Sequence, residues 1–199
     1  MPNKSNILIP PNGFRKILLH SCCAPCSCEI MEILKENNIE YTVFFYNPNI
    51  DTEAEYNKRK DENKFFANKL KIPFIDGDYL SDTNKWVKSI AGFEGEPERG
   101  KRCSICFKMR LTAAAEFAHQ NSFNVFTSSL GISRWKDFTE VCRCGIKAAS
   151  KFPNVTYWSY NWRKKGGSER MSQISKRENF YRQTYCGCSF SKPNTSSNQ

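Results

Sequence analysis

The apolar run Ile17-Leu18-Leu19 passes directly into His20-Ser21-Cys22-Cys23-Ala24-Pro25-Cys26, and this junction limits the folds open to the chain. A short apolar run bounded by polar residues reads as a strand buried on both faces, the kind found in parallel sheets. Pro25 bars a regular helix before it and favours helix initiation just after, so Cys26 belongs in a first helical turn. There the unpaired backbone N–H groups and the helix dipole favour thiolate over thiol. A disulfide between the neighbours Cys22 and Cys23 needs a strained peptide, whereas a metal or cluster takes several thiolates from one tight turn. The stretch is therefore read as a sulfur-ligand loop at a strand end.

Strand and helix signals alternate from there on. Residues 16–20 read as the first strand and 26–36 as a helix. The aromatic and β-branched 41–46 form a second strand that ends at Asn47-Pro48-Asn49. Thr52, with Glu55 three residues later, caps a helix over 53–70. Residues 72–75 read as a third strand, 81–90 as a short helix and 92–100 as a Glu/Gly-rich loop. A helix over 103–119, a strand over 124–130, a helix over 135–151 and a strand over 155–160 follow. Such alternation implies right-handed crossovers, a mostly parallel sheet with flanking helices, and ligands gathered beyond the carboxyl ends of the strands. The 199 residues suffice for one α/β core. The expected division is an N-terminal extension 1–15, a single α/β catalytic domain 16–191 and a disordered Ser/Asn-rich tail 192–199.

Thirty Lys and Arg against twenty Asp and Glu give a net charge of +10, which suggests a polyanionic partner, RNA or DNA ahead of a membrane surface. The polar, proline-bearing N-terminus lacks the apolar core of a signal peptide, and no window approaches a membrane span. A cytoplasmic protein is expected, and ten cysteines in that reducing setting argue for metal or redox chemistry over a disulfide scaffold.

The cysteines fall into groups. Cys103-Ser104-Ile105-Cys106 again opens a helix, and two residues three apart share one helical face. With Cys23-x-x-Cys26 they resemble a four-thiolate site, for which structural zinc and an iron–sulfur cluster both stay open. The extra thiol of Cys22, and a ligand loop where α/β sheets hold their active sites, tilt the reading toward iron. Cys186-Gly187-Cys188 offers further ligands or a dithiol that cycles with a disulfide. Cys28, Cys142 and Cys144 are read as incidental, the last two because i and i+2 diverge around a helix.

At this level of detail the chain resembles a known family, the cobalamin-independent epoxyqueuosine reductases QueH. The resemblance is carried by His20-Ser-Cys22-Cys23-Ala-Pro-Cys26, Tyr46-Asn47-Pro48-Asn49-Ile50, Glu55-Tyr56-x-x-Arg59, Arg102-Cys103-x-x-Cys106, Arg110-Leu111 and Tyr181-Arg182-Gln183-x-Tyr185-Cys186-Gly187-Cys188, in that order. It implies a HUP-like fold (adenine nucleotide alpha hydrolase-like) and reduction of epoxyqueuosine to queuosine at the wobble position of tRNA. It further implies a 4Fe–4S cluster beside a second, mononuclear metal ion, expected to be iron, with ligands drawn from Cys22, Cys23, Cys26, Cys103 and Cys106. Some family members carry Asp where this chain has Cys26. Ser133-Arg134-Trp135-Lys136 likewise stands where a Ser-Pro-x-Lys stretch is expected.

Turning an epoxide into an alkene removes oxygen as water and consumes two electrons and two protons. No side chain donates electrons at the needed potential, so a cluster and an external electron donor of unspecified identity are chemically motivated. Cys186 and Cys188 are a candidate redox pair in catalysis, and His20, Tyr46 and Asp51 are candidate proton donors. For tRNA, Arg102, Arg110, Arg134, Lys136, Arg163, Lys164 and Arg182 are candidate phosphate contacts, with Trp135, Trp158, Tyr160 and Trp162 as stacking aromatics and Gly166-Gly167 as a mobile loop. Two other function classes stay in view, a zinc-stabilised RNA-binding module and a cytosolic thiol–disulfide oxidoreductase. ATP-dependent chemistry is disfavoured, since thiols and a proline occupy the place of a Gly-rich phosphate cradle.

Overall fold

A computed structural model of the chain describes residues 7–14, 16–77 and 83–192. Its centre is a five-stranded sheet in which every pairing is parallel, in the order β3-β2-β1-β4-β5. The strands are β1 (Lys16–Ser21), β2 (Glu40–Phe45), β3 (Phe74–Asp76), β4 (Val125–Ser128) and β5 (Thr156–Tyr157). The helices are α1 (Ala24–Glu36), α2 (Glu53–Leu70), α3 (Thr83–Ser89), α4 (Lys101–Gln120), α5 (Phe138–Ala149) and α6 (Gly167–Arg177). The mostly parallel α/β expectation holds.

The two-residue period of the strands divides the core. Ile17 and Leu19 point to one side, with Tyr41, Val43 and Val125, where α1, Phe66 of α2 and Ile174 of α6 cover them. Leu18 points to the other, with Phe44 and Phe126, under α4 and α5. Burial on both faces is why these strands are apolar throughout rather than alternating. On the second side Gly145 lets α5 approach the sheet, since a Cβ there would stand 2.5 Å from the Tyr157 ring.

Local chemistry sets the ends. Thr52 accepts from the Glu55 N–H at 3.3 Å and starts α2 where the sequence predicts it. Asp137 Oδ1 accepts from Thr139 and Glu140, so α5 begins at Phe138 and not at 135. The fourth strand stops at Ser128, whose Oγ accepts from the Leu130 N–H and turns the chain into a 3-10 turn over Ser129–Ile132. The fifth strand is two residues, not the predicted 155–160, because the chain beyond Tyr157 turns its aromatics inward. Trp158 and Trp162 are buried, their ring centroids 5.1 Å apart, and Trp162 Nε1 donates to Thr127 Oγ1 at 3.2 Å. They are core, not stacking surfaces for RNA. Gly166-Gly167 is not a mobile loop but the start of α6, with Gly166 at φ +81° as its N-cap. Helix α6 packs on α1 and closes the first side of the sheet.

Of the expected N-terminal extension, residues 1–6 and 15 lie outside the described residues, as do 81–82 of the third predicted helix and 193–199 of the predicted tail. Leu8 is buried in the core, and its N–H donates to Asn37 Oδ1 at 2.9 Å. Lys192 pairs with Asp51 at 2.6 Å. No helix among the described residues is long and apolar enough to cross a membrane.

Candidate metal centre and substrate cleft

Strands β1 and β4 are neighbours, yet the chain leaves β1 toward β2 on its other side. This reversal opens a crevice at the carboxyl ends of the strands, where α/β proteins bind ligands. A cleft of about 350 Å³ lies there, within the usual range for a small-molecule site. Cys22, Cys23 and Cys26 line it from the β1–α1 junction, Asn47 and Asn49 from the end of β2, and Ser133, Trp135 and Lys136 from the loop after β4.

The three sulfurs of Cys22, Cys23 and Cys26 lie within 4.8 Å of one another, with Cys22 and Cys23 Sγ 3.7 Å apart. Cys23 is the N-cap of α1, with Pro25 in its first turn, as the sequence predicts for the placing of Cys26. The loop is tied down at both ends. Ser129 Oγ accepts from the Cys22 N–H at 3.0 Å and donates to Cys22 Sγ at 3.3 Å, while the Cys23 carbonyl accepts from the Ser27 N–H and hydroxyl. Hydrogen bonds from Cys23 and Cys26 hold the Cys22 thiol well below its ordinary value. The same contacts push Cys23 up to about 12 and Cys26 well upward. Cys22 is thus the most acidic of the three thiols. Against the effect of burial, the negative charge of Cys22, with that of Cys186, keeps the Lys136 ammonium above its ordinary value.

These donors fit a thiophilic metal. Two thiolates bonded to one tetrahedral ion at about 2.3 Å stand roughly 3.8 Å apart, close to the spacing seen. No fourth His, Cys, Asp or Glu ligand atom among the described residues lies within 4.8 Å of all three sulfurs. Cys103 and Cys106 instead open, with Cys186 and Cys188, on a smaller pocket next to the cleft, and Asn49, Arg110, Trp135, Lys136 and Cys186 form walls of both. Arg110 connects the two, with Nη1 3.9 Å from Cys106 Sγ and Nη2 donating to Asn47 Oδ1. Burial raises the Cys103 and Cys106 thiols.

The segment carrying Cys186 and Cys188 is moored to α2. Arg59, 2% exposed, donates to the Tyr185 and Cys186 carbonyls at 3.1 Å each and to Glu55 at 2.6 Å. The Gly187 carbonyl accepts from the Asp51 N–H at 2.9 Å, and Asp51 Oδ1 accepts from Tyr185. Gly187 has φ +99°, and a Cβ there would meet Arg59 Nη1 at 3.0 Å. Both cysteines are free thiols, with Cys186 held well down by the hydrogen bond from Cys188. Asn49 and Gln183, to which the sequence assigns no role, line the cleft; Asn49 Oδ1 is buried and unpartnered, and the Gln183 side chain faces the Cys23 thiol. Arg110 Nε is likewise unpartnered. Orphaned groups of this kind in a cleft wall await a ligand or bound water.

Other predicted residues lie elsewhere. His20 is fully buried below the cleft. Its Nε2 faces the Tyr46 carbonyl at 3.2 Å, which only accepts, so Nε2 carries the proton and Nδ1 accepts from Ser128 Oγ at 2.8 Å. It is a packed residue, not a proton donor. Neither Tyr46 nor Asp51 lines the cleft. Burial, then the Arg110 charge, lowers the His20 imidazole from 6.5 to about 3. The unfolded chain binds that proton at higher pH than the folded one. Stability present above pH 6.5 is therefore expected to fall toward pH 3, by up to about 1.4 kcal/mol per pH unit. Urea unfolding of wild type and His20→Gln across that range checks this, and equal pH slopes would rule it out.

Arg102 and Arg163 are corrections to the RNA-contact reading. Arg102, 2% exposed, donates to the carbonyls of Glu94, Glu96 and Phe190, and Arg163 donates to those of Ser133 and Lys136. Both guanidiniums hold loops. Arg110 and Lys136 face the cleft, and Arg134, Lys164 and Arg182 are exposed. Trp135 is 63% exposed on the cleft rim, with the Arg134 guanidinium 4.8 Å from its ring centroid. Cys28 contacts the Pro25 and Met171 carbonyls and Cys144 the Ser104 carbonyl, and neither they nor Cys142 line the cleft.

Fold and cleft together describe an α/β protein with a five-stranded parallel sheet and a thiol-rich site at the carboxyl ends of its strands. A solved structure of the U34-tRNA thiolase NcsA from Methanococcus maripaludis, with its [4Fe-4S] cluster, shares the fold at a TM-score of 0.60 and 11% identity, over 96% of this chain and 64% of that one. The chain belongs to the epoxyqueuosine reductase QueH family, whose model matches residues 17–194. It is 58% identical over 181 residues to the epoxyqueuosine reductase QueH of Haemophilus influenzae, covering 91% of this chain and 73% of that one. It is 57% identical over 185 residues to that of Histophilus somni, covering 93% and 75%.

Proposed function

We propose that this chain reduces the epoxide of epoxyqueuosine in tRNA to the alkene of queuosine, with two electrons and two protons entering and one water leaving. What carries the reading is the convergence of three sulfurs in the cleft of a chain from this family. Cys22, Cys23 and Cys26, with Cys103 and Cys106 on the adjoining wall, would hold the metal centre. That centre, a 4Fe–4S cluster with a second mononuclear iron, supplies single electrons and a Lewis acid for oxygen when bound.

The chain's own groups do the rest. Asn49, Gln183 and Arg110 present polar atoms that a hydroxylated ring would satisfy, and Lys136 sets a positive charge beside the sulfurs. Trp135 offers an exposed face on which a neighbouring base stacks. Cys186 and Cys188 are read as a dithiol that passes electrons from an external donor. Serine at both positions should then leave the metal content intact and stop turnover, and unchanged turnover would exclude the relay.

The deciding experiment incubates anaerobically purified, reduced protein with epoxyqueuosine-containing tRNA and weighs the released nucleoside. Loss of one oxygen is expected. A brown, metal-loaded protein that leaves the mass unchanged with a competent reductant would defeat the reading.

A further inference from the structure

Helix α4 has two working faces. At roughly 100° per residue, Cys103, Cys106 and Arg110 share the face toward the thiol pockets, while Lys101, Ser104, Ile105 and Lys108 lie on the opposite one. That second face forms, with α5, an open groove of about 400 Å³ lined by Lys101, Lys108, Arg143 and Lys147. Its floor is Ser104, Ile105 and Cys144, with Phe93 at one end. Two acids stand beside it: Arg143 engages both oxygens of Glu140, at 2.6 and 2.7 Å, and Glu96 Oε2 accepts from the Lys101 backbone N–H at 3.1 Å. Among the described residues no carboxylate lies within ion-pair distance of Lys101, Lys108 or Lys147.

The start of α4 is also tied to the cleft rim. Arg99, two residues ahead of Lys101, donates to the carbonyls of Arg134 and Trp135 at 2.9 and 3.1 Å, joining the rim loop to the start of α4. Exposed basic residues thus stand at Arg134 and Arg99 on the rim and at Lys101 and Lys108 on the groove. Lys101 and Lys108 are about 10 Å apart along the helix, so they would meet phosphates that are not adjacent on the strand.

We propose that the α4–α5 groove is a second RNA contact, gripping the phosphate backbone of the tRNA whose modified base enters the cleft on the other side of α4. The inference rests on the tRNA reading above and adds the path of the nucleic acid. Lysines binding phosphates release counterions, so each contact contributes roughly 0.7 to 0.9 to the slope of log affinity against log salt.

The test measures binding of full-length tRNA by wild type, Lys108→Gln/Lys147→Gln and a control, Lys35→Gln/Lys64→Gln, whose lysines sit on the opposite layer. The groove variant should bind roughly tenfold or more weakly at low salt, with a slope shallower by about 1.5. Its turnover rate at saturating tRNA should be unchanged and its KM raised, with the control like wild type. If wild type shows a normal salt slope and the groove variant matches it, the groove proposal fails while the tRNA reading stands. Equal losses in the control would assign the effect to net charge and also overturn it. Salt-independent binding by wild type would remove the tRNA reading itself.

Discussion

A Cys22→Ser/Cys23→Ser protein is expected to purify colourless, to lose its bound metal and to leave the epoxide of its tRNA substrate intact. Serine matches cysteine in shape, so the core around these two buried positions keeps its packing. It does not match in chemistry, because a hydroxyl resists ionisation at neutral pH and is a poor ligand for iron. Two of the three clustered sulfurs would be gone, leaving Cys26 with only Cys103 and Cys106 of the adjoining pocket. Metal analysis, the visible spectrum and nucleoside mass read the result, and tRNA affinity should survive. Full metal content with normal turnover would remove the cysteine loop from the mechanism. Cys144→Ser is the matched control, since that thiol lies outside the cleft.

The largest effect on stability is expected at Arg59. Its guanidinium is almost wholly buried and joins Glu55 to the carbonyls of Tyr185 and Cys186. Arg59→Leu would strand the Glu55 carboxylate, which among the described residues keeps only the Tyr181 hydroxyl at 3.3 Å, and would take a donor from two carbonyls. Removing one partner of a buried ion pair costs about 3–5 kcal/mol. A fall of that size in urea unfolding is expected, with faster amide exchange along 185–188 than in β1. Wild-type stability together with an unaltered exchange pattern would contradict the mooring role.

Much of this arrangement is legible in the chain itself. The apolar strand, the proline after paired cysteines and the Thr52 cap each act within a few residues, so the sequence announces them. The sulfur loop is where it was expected for the same reason. Elements whose form depends on distant partners are less legible. Trp158 and Trp162 read equally well as an exposed ladder until Thr127 and helix α6 are known to lie beneath them. Gly166-Gly167 suggests freedom, yet here the first glycine supplies the left-handed N-cap of α6. Arg102 looks like a phosphate ligand, and three carbonyls, two from the loop before α4 and one from Phe190, turn it inward. Asn49 and Gln183 share a wall only because the end of β2 and the segment after α6 meet there, a closeness no spacing reveals.

The unpaired amide and guanidinium atoms in the cleft wall bear on how this protein behaves on storage. A ligand that supplies their partners binds the folded chain and not the unfolded one, and so adds to its stability by mass action. Anything that answers those atoms should therefore also harden the fold against heat, and an occupied enzyme should outlast an empty one.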